Sequence, residues 1–517
     1  MGDDKASSLR PVLGFFLALA LASLGLFLGI LWLEGASDLF LHPGEWLARL
    51  RPEVAEGTLS NAAEVVAGVL AIAITVVAIV VELAANRYTH RITQLFVREP
   101  VNIGVMTLFV ITTIQCLWVG STFGGQLPGP GRFSYAGLVI AMGMVTLCLL
   151  VLLPYFAFVF HFLSPLNVIA HIADAGLAAV VKATRGRTTA RRADVIEAVD
   201  ELEDVARGAM THGDRGIGMA AVDALGSLLR RYAEHRDQLP EGWFRIDGAV
   251  ARDPDFVSLA ASSAVEIEEH RSWLEYKVLR QLHGLYLRAL GASRDNCDRI
   301  ALEVFRIGQR ALGAGDRGGV ENAIRAFNSF LRGAINAGDL RSAYFVLDQY
   351  RSLTEVALER GSVDRVSEIA DHLIEYGRFG QERGQHFLVE VVAYDLVQLI
   401  RLAVEREPEQ VGSLLDRLLS VDEVAGSSGR GKLRGVRRAQ AQLGVFMLSR
   451  GETAHVATIQ KDMRGESEEL LAGIHRELAL EERDQYWEFT DRGVNFGFVP
   501  PEQRAHLDPF FSGVIRS

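Results

Sequence analysis

The stretch "EVVAGVLAIAITVVAIVVE", Glu64 to Glu82, decides how this sequence folds, because none of the 17 residues between its two acids is charged. About 20 apolar residues are enough to cross a bilayer as a helix. Glu64 and Glu82 are 18 positions apart, which is five whole turns and about 27 Å along a helix. Both carboxylates therefore point the same way, at the two edges of a hydrocarbon core about 30 Å thick. The stretch predicts a transmembrane helix over 64–85.

A stripe of small and polar residues connects the two acids. Its members step alternately by four and three positions: Glu64, Gly68, Ala71, Thr75, Ala78 and Glu82. Small side chains let helices approach closely in a membrane, so the stripe predicts a helix–helix contact. In a homo-oligomer the same face also suits a pore, with rings of Glu64 and Glu82 at its two mouths. The residues alone leave both interpretations open.

Three further apolar runs predict transmembrane helices over about 12–33, 101–123 and 135–163. Lysine and arginine are concentrated on one side of the four spans, which places both termini in the cytoplasm. The helix after Glu82 continues with Arg87, Arg91 and Arg98 on one face. This basic, amphipathic continuation predicts contact with lipid headgroups. A charged face packed on the soluble part explains the same pattern.

The remaining composition excludes several classes of function. The net charge is -11, and most of it lies beyond residue 165, which argues against a nucleic-acid partner. The three cysteines and the histidines show no metal-ligand spacing. The stretch "GSSGRGKL" at 426–433 has phosphate-loop spacing, but Leu433 stands where a magnesium-binding Ser or Thr is needed. We therefore expect no cofactor, no metal site and no enzymatic activity.

Beyond the spans, helical periodicity without strand-like alternation predicts an all-α protein. Helix breakers recur every 23 residues, at Gly315, Gly338, Gly361, Gly384 and the Glu407–Pro408 step. Helices of equal length in this arrangement predict an α-solenoid-like repeat, and a compact bundle is the alternative. The expected organisation is a transmembrane domain (1–165), a cytoplasmic linker and helical region (166–258), a helical-repeat domain (259–460) and a C-terminal segment (461–517). That last segment is expected to cap the array; a self-inhibitory or partner-docking tail is the other interpretation.

The first 235 residues or so resemble a bacterial family of predicted membrane proteins classed as a domain of unknown function, type 2254. The stretches that carry the resemblance are "VVAGVLAIAITVVAIVVELAANRYTHRITQLFVREP" and "LLPYFAFVFHFLSPLNVIAHIA". The family usually has an Asn-Asp-Pro turn where this chain has Gly213, Asp214 and Arg215. The resemblance implies a multi-pass protein of the bacterial inner membrane with a cytoplasmic domain. It implies no activity.

These observations lead to two functional hypotheses. In the first, the spans anchor a cytoplasmic helical array that binds a protein partner at the membrane. In the second, the chain is an oligomeric, gated, cation-conducting channel lined by the second span and regulated by its cytoplasmic domain. Both expect contact with the lipid bilayer and assembly into a homo-oligomer.

Overall fold

A computed structural model shows the fold of the chain. It describes residues 51–87, 99–123, 135–186, 188–421, 433–485 and 492–515, together with single positions at 21, 25, 26, 29, 30, 33, 93, 96 and 97. Within these residues the regular elements are α-helices and short 3-10 turns, and the single β-bridge joins Gln485 to Val494. The all-α prediction is therefore confirmed. The chain divides into two compact units, Met1–Val168 and Ile169–Ser517.

The first unit contains three long apolar helices that pack against one another. They are α1 (Pro52–Arg87), α2 (Pro100–Phe123) and α3 (Tyr135–Phe162). Their shared core is formed by Leu59, Ala63, Val66, Phe109, Cys116, Val119, Ala141, Val145 and Cys148. Large apolar side chains also face outward, such as Ile72, Ile140 and Trp118, which is 70% exposed. A bilayer would cover such a surface, because it lacks the polar groups that water requires.

Four described helices are long and apolar enough to cross a membrane: α1, α2, α3 and α4 (Pro165–Ala183). The first three contain the spans predicted over 64–85, 101–123 and 135–163. The span predicted over 12–33 lies outside the described residues, apart from six single positions. The sequence predicts that residues 166–183, which form most of α4, belong to the cytoplasmic region. The second half of α4 packs within the second unit, where Gly176 lies against Ala198 and Leu228, and Asp174 pairs with Arg231 at 2.9 Å.

The second unit continues with long helices joined by tight turns. After α5 (Thr188–Thr211) and α6 (Arg215–Ala233), the region up to residue 269 holds two 3-10 turns and three short helices: α7 (Gly248–Arg252), α8 (Pro254–Val257) and α9 (Ala261–Glu269). Longer helices follow: α10 (Trp273–Ala289), α11 (Arg294–Ala314), α12 (Arg317–Ala337), α13 (Leu340–Glu359), α14 (Val363–Glu382) and α15 (His386–Arg406). The final helices are α16 (Val411–Ser420), α17 (Arg434–Ser449), α18 (Thr453–Met463), α19 (Glu468–Leu480), α20 (Pro501–Arg504) and α21 (Leu507–Ile515).

These helices form a two-row array. One row stacks α5, α10, α12, α14, α16 and α18, each on the next, and the other stacks α6, α11, α13, α15 and α17. Consecutive helices also pack across the rows, as α11 does with α12 and α18 with α17. We call the second set the inner row, because α15 is buried on nearly all its faces. Such stacking is the arrangement of an α-solenoid, in which each unit contacts mainly its neighbours.

The helix ends follow from turn chemistry. Gly315 and Gly338 end α11 and α12 in the left-handed conformation, with φ of 66° and 70°. Glycine reaches this region without the steric cost that a Cβ imposes. The aspartates that follow cap the next helices, since the carboxylate of Asp316 accepts from the Gly319 N–H at 3.1 Å and that of Asp339 accepts from Ser342 at 3.0 Å.

Candidate functional site

The small-residue stripe lies on the outer surface of α1. Glu64, Gly68, Ala71, Thr75, Ala78 and Glu82 are all exposed in the described part of the chain. The opposite face of α1 packs on α2 and α3 through residues such as Leu59, Ala63 and Val66. The hydroxyl of Thr75 donates to the Ala71 carbonyl at 2.8 Å, which satisfies it within its own helix. The stripe is therefore not the contact that α1 makes with α2 and α3, and a partner for it must come from elsewhere.

An open cavity lies at the end of the stripe, beside Glu82. The cavity has a volume of about 670 Å³ and is mainly apolar. Ala78, Glu82 and Asn86 form one wall, and Phe96, Asn102 and Met106 are among the residues on the other side. A carboxylate beside an apolar recess suits either an amphiphilic molecule or another helix.

A buried polar pair connects α2 and α3, and it was not predicted from the sequence. The hydroxyl of Tyr155 in α3 donates to the side-chain oxygen of Asn102 in α2 at 2.6 Å. The Asn102 amide in turn donates to the carbonyl of Phe96 at 3.4 Å. Polar groups inside a membrane domain need such partners, because no water is present to satisfy them. The hydrogen bond between Tyr155 and Asn102 holds α2 and α3 together, so the role of this pair is structural.

The lipid-headgroup prediction concerns Arg87, Arg91 and Arg98. The side chains of all three lie outside the described residues, so the prediction stays a prediction. The phosphate-loop-like stretch at 426–432 also lies outside them.

In the second unit, the inner row holds a segment of the chain's own C-terminal region. We call residues 492–499 the tail segment. The guanidinium of Arg492 pairs with Asp395 of α15, donates to the carbonyl of Tyr344 in α13 at 3.0 Å and lies 4.3 Å from the centre of the Tyr344 ring. Both side chains of the Arg492–Asp395 pair are buried. Burial raises the pKa of Asp395, while Arg492 and Arg351 oppose that rise. A buried carboxylate of this kind needs its cationic partners.

The tail segment is also held by its backbone. The side-chain amide of Gln442 in α17 donates to the carbonyls of Phe496 and Phe498, at 2.9 Å each. The ring of Phe496 stacks on Tyr394 of α15, with 4.4 Å between the ring centres. The inner row therefore holds the tail segment of the same chain through main-chain and aromatic contacts.

In the described part of the chain, two clusters each bring together three side chains that could bind a metal ion. In the first, Asp200, Asp253 and Asp255 surround the ammonium of Lys277, at 2.7, 2.6 and 3.1 Å. The lysine side chain is fully buried and stands where a cation would bind, so this cluster is an ion-pair network. The second cluster contains Glu266, His270 and Glu321, and the guanidinium of Arg325 bridges its two glutamates.

The fold and these sites define a class: a helical membrane protein with several candidate spans, followed by a two-row helical array. Residues 8–211 match the family described as "Predicted membrane protein (DUF2254)". The match confirms the resemblance over that part of the chain and carries no activity with it. No curated protein and no solved structure matches the chain.

Proposed function

We propose that this protein anchors a helical array at the cytoplasmic face of a bacterial inner membrane and that the inner row of the array binds a protein partner. The observation that carries the proposal is the tail segment, which the inner row holds through the main-chain carbonyl of Tyr344 in α13 and the side chains of Asp395 in α15 and Gln442 in α17. The cytoplasmic placement rests on the distribution of lysine and arginine around the spans.

The partner surface we propose begins beside the tail segment. Phe387 is 46% exposed and its ring lies 5.6 Å from that of Tyr344, which also faces Arg492. Aromatic and arginine side chains dominate the binding energy of many protein interfaces. The inner row continues from here through α13 and α11, so it offers a surface longer than the tail segment covers.

Site-specific photo-crosslinking in cells tests this proposal. A photoreactive phenylalanine analogue at position 387 is expected to give a discrete crosslink to a second protein. The matched control is Leu287 of α10, which is 45% exposed but lies in the other row. Identical crosslinks at both positions, or none at 387 under conditions where the protein is folded in the membrane, would contradict partner binding by the inner row.

The second candidate is the oligomeric cation channel. It is favoured by one observation: the face from Glu64 to Glu82 makes no contact with α2 or α3, so it is available to line an axis between copies. In planar bilayers a pore would conduct, and Glu64→Gln or Glu82→Gln would reduce cation preference. Glu56→Gln is the control, because that exposed acid lies off the stripe. Silent bilayers containing reconstituted, oligomeric protein would exclude the channel.

Cysteine crosslinking distinguishes a contact between copies from a lipid-facing stripe. Ala71→Cys is expected to form a disulfide-linked dimer in membranes, whereas Val77→Cys on the buried face is not. The native cysteines Cys116, Cys148 and Cys297 are buried and do not compete. Absence of the Ala71→Cys dimer would place the stripe against something other than a second copy.

A further inference from the structure

A second cavity lies in the array, away from the tail segment. It has a volume of about 310 Å³, at the lower end of the range for small-molecule sites. It opens where α6, α10, α11 and the start of α12 meet. Its charged lining consists of four arginines and three acids: Arg230, Arg236, Arg271, Arg310, Asp237, Glu275 and Asp316.

Three of the four arginines in this lining are paired with acids, and one of them is Arg271, whose guanidinium lies 3.1 Å from the Glu241 carboxylate. Arg236 pairs with Asp316, and Arg230 pairs with Glu303, which lies behind the cavity wall. Arg310 has no carboxylate within ion-pair distance among the described residues, although its charge lowers the pKa of the nearby Glu275 carboxyl. A guanidinium that lines a cavity without such a close partner is suited to a phosphate or carboxylate group, which it binds with two parallel hydrogen bonds.

The second unusual group is the carboxyl of Glu275. Its side chain is buried, its Oε1 lies 3.8 Å from the Arg236 guanidinium, and its Oε2 has no hydrogen-bond partner among the described residues. Burial raises the pKa of Glu275 to about 7. A buried carboxyl of this kind is available in its neutral form, which donates a hydrogen bond that an oxyanion accepts.

The backbone at the cavity rim is strained in a way that positions another arginine. Arg271 has a φ of 54° and is the one non-glycine residue with positive φ in the described part of the chain. The guanidinium of Arg236 holds this turn, since it donates to the carbonyls of His270 at 2.7 Å and of Arg271 at 3.2 Å. The Nε of Arg271 is buried without a hydrogen-bond partner. Such strain persists where the surroundings enforce it, and it is concentrated at ligand-binding positions.

We propose that this cavity binds a small phosphate-bearing ligand, held by the guanidinium groups of Arg310 and Arg271 and by a hydrogen bond from the carboxyl of Glu275. The site is independent of partner binding by the inner row. It lies where α6 meets the first long helices of the array, so an occupied site would tie four helices together.

Isothermal titration of the detergent-solubilised full chain with inorganic phosphate tests the site. Saturable binding is expected, and Arg310→Ala should weaken it at least about tenfold, because a charge-assisted pair is lost. Arg288→Ala is the matched control, since Arg288 lies exposed on α10 outside the cavity, and its affinity should be unchanged. Arg310→Lys is a second variant for the case in which the alanine variant folds poorly, and it should retain part of the affinity. Absence of saturable binding, or equal loss in both alanine variants, would overturn the proposal.

A titration with sulfate tests the role of Glu275, because sulfate keeps its charge between pH 6 and pH 8. The affinity of the native protein should fall as pH rises, since the ionised carboxylate repels the anion. Tyr232, Arg236, Arg310 and Asp316 surround Glu275, so Glu275→Gln is needed to isolate its contribution. That variant should bind with an affinity that hardly varies with pH. An unchanged pH dependence in Glu275→Gln would remove the carboxyl from the site.

A water-soluble, short-chain phosphatidic acid identifies the source of the phosphate. Competition between this lipid and inorganic phosphate in the native protein, lost in Arg310→Ala, would assign a lipid headgroup. Binding of inorganic phosphate without competition would assign a free, soluble ligand.

Discussion

Replacing Glu275 with glutamine is expected to change the pH dependence of folding. The carboxyl has a pKa of about 7 in the folded chain, against 4.5 as its ordinary value. The folded state therefore binds more protons than the unfolded state between these values, and stability falls as pH rises through this window. The two pKa values imply a loss of about 2.5 kcal/mol between pH 5 and pH 8 from this one group.

The assay is urea-induced unfolding of the detergent-solubilised chain at both pH values, in buffers free of phosphate and sulfate. Intrinsic fluorescence reports on the array, because Trp243 and Trp273 are buried close to α10 and their rings lie 5.6 Å apart. Glu275→Gln should be more stable than the native protein at pH 8 and differ by less than about 1 kcal/mol at pH 5.

The control substitution is Glu303→Gln. Glu303 is equally buried but is held by the guanidinium groups of Arg230 and Arg306, at 2.5 Å each. Loss of the Glu303 carboxylate leaves the Arg230 and Arg306 guanidinium groups without their anionic partner, so this variant should be destabilised at both pH values. If Glu275→Gln has the same effect at pH 8 as Glu303→Gln, the carboxylate of Glu275 is a stabilising ion-pair partner and the reasoning is refuted.

Three further substitutions test the array. In Gly444→Ala the new methyl group would overlap the ring of Phe510, so the C-terminal helix should detach from α17. Protease cleavage near residue 505 should then increase, and unchanged cleavage would contradict this packing. Arg492→Ala should lower the free energy of unfolding by about 3 kcal/mol at pH 8 and by less at pH 5, because the buried Asp395 can then take up a proton. Asp339→Ala removes the cap of α13 and should cost about 1 kcal/mol in urea unfolding, whereas Asp339→Asn should cost much less.

The local features of this protein were readable from the sequence because they arise from interactions between near neighbours. The apolar run from Glu64 to Glu82 is helical whatever surrounds it, since a helix satisfies its own backbone groups. Gly315 and Gly338 end their helices because the left-handed conformation is cheap only for glycine. Local pattern does not decide the location of α4, because the sequence predicts a cytoplasmic helix there while its length and composition also fit a membrane span.

Only part of each candidate site could be predicted from the sequence. The stripe on α1 was identified by its spacing, but the sequence does not state which face of that helix packs on α2 and α3. The sequence predicts that residues 461–517, which include the tail segment, cap the array or form a self-inhibitory or partner-docking tail. It does not indicate the contact residues Tyr344, Asp395 and Gln442, which lie up to 148 positions away from Arg492 along the chain. The cavity around Glu275 carries no motif, since its lining comes from several separate helices.

The sequence by itself determined the helices, the apolar spans and the turns of the array, because period, charge and glycine positions act within a few residues. Only the tertiary structure decided which face of α1 packs on α2 and α3, where the tail segment lies and how a buried carboxyl comes to lie in a cavity lined by four arginines. These features depend on contacts between residues far apart in the chain, and the free energy of such contacts is set by burial that no local pattern encodes.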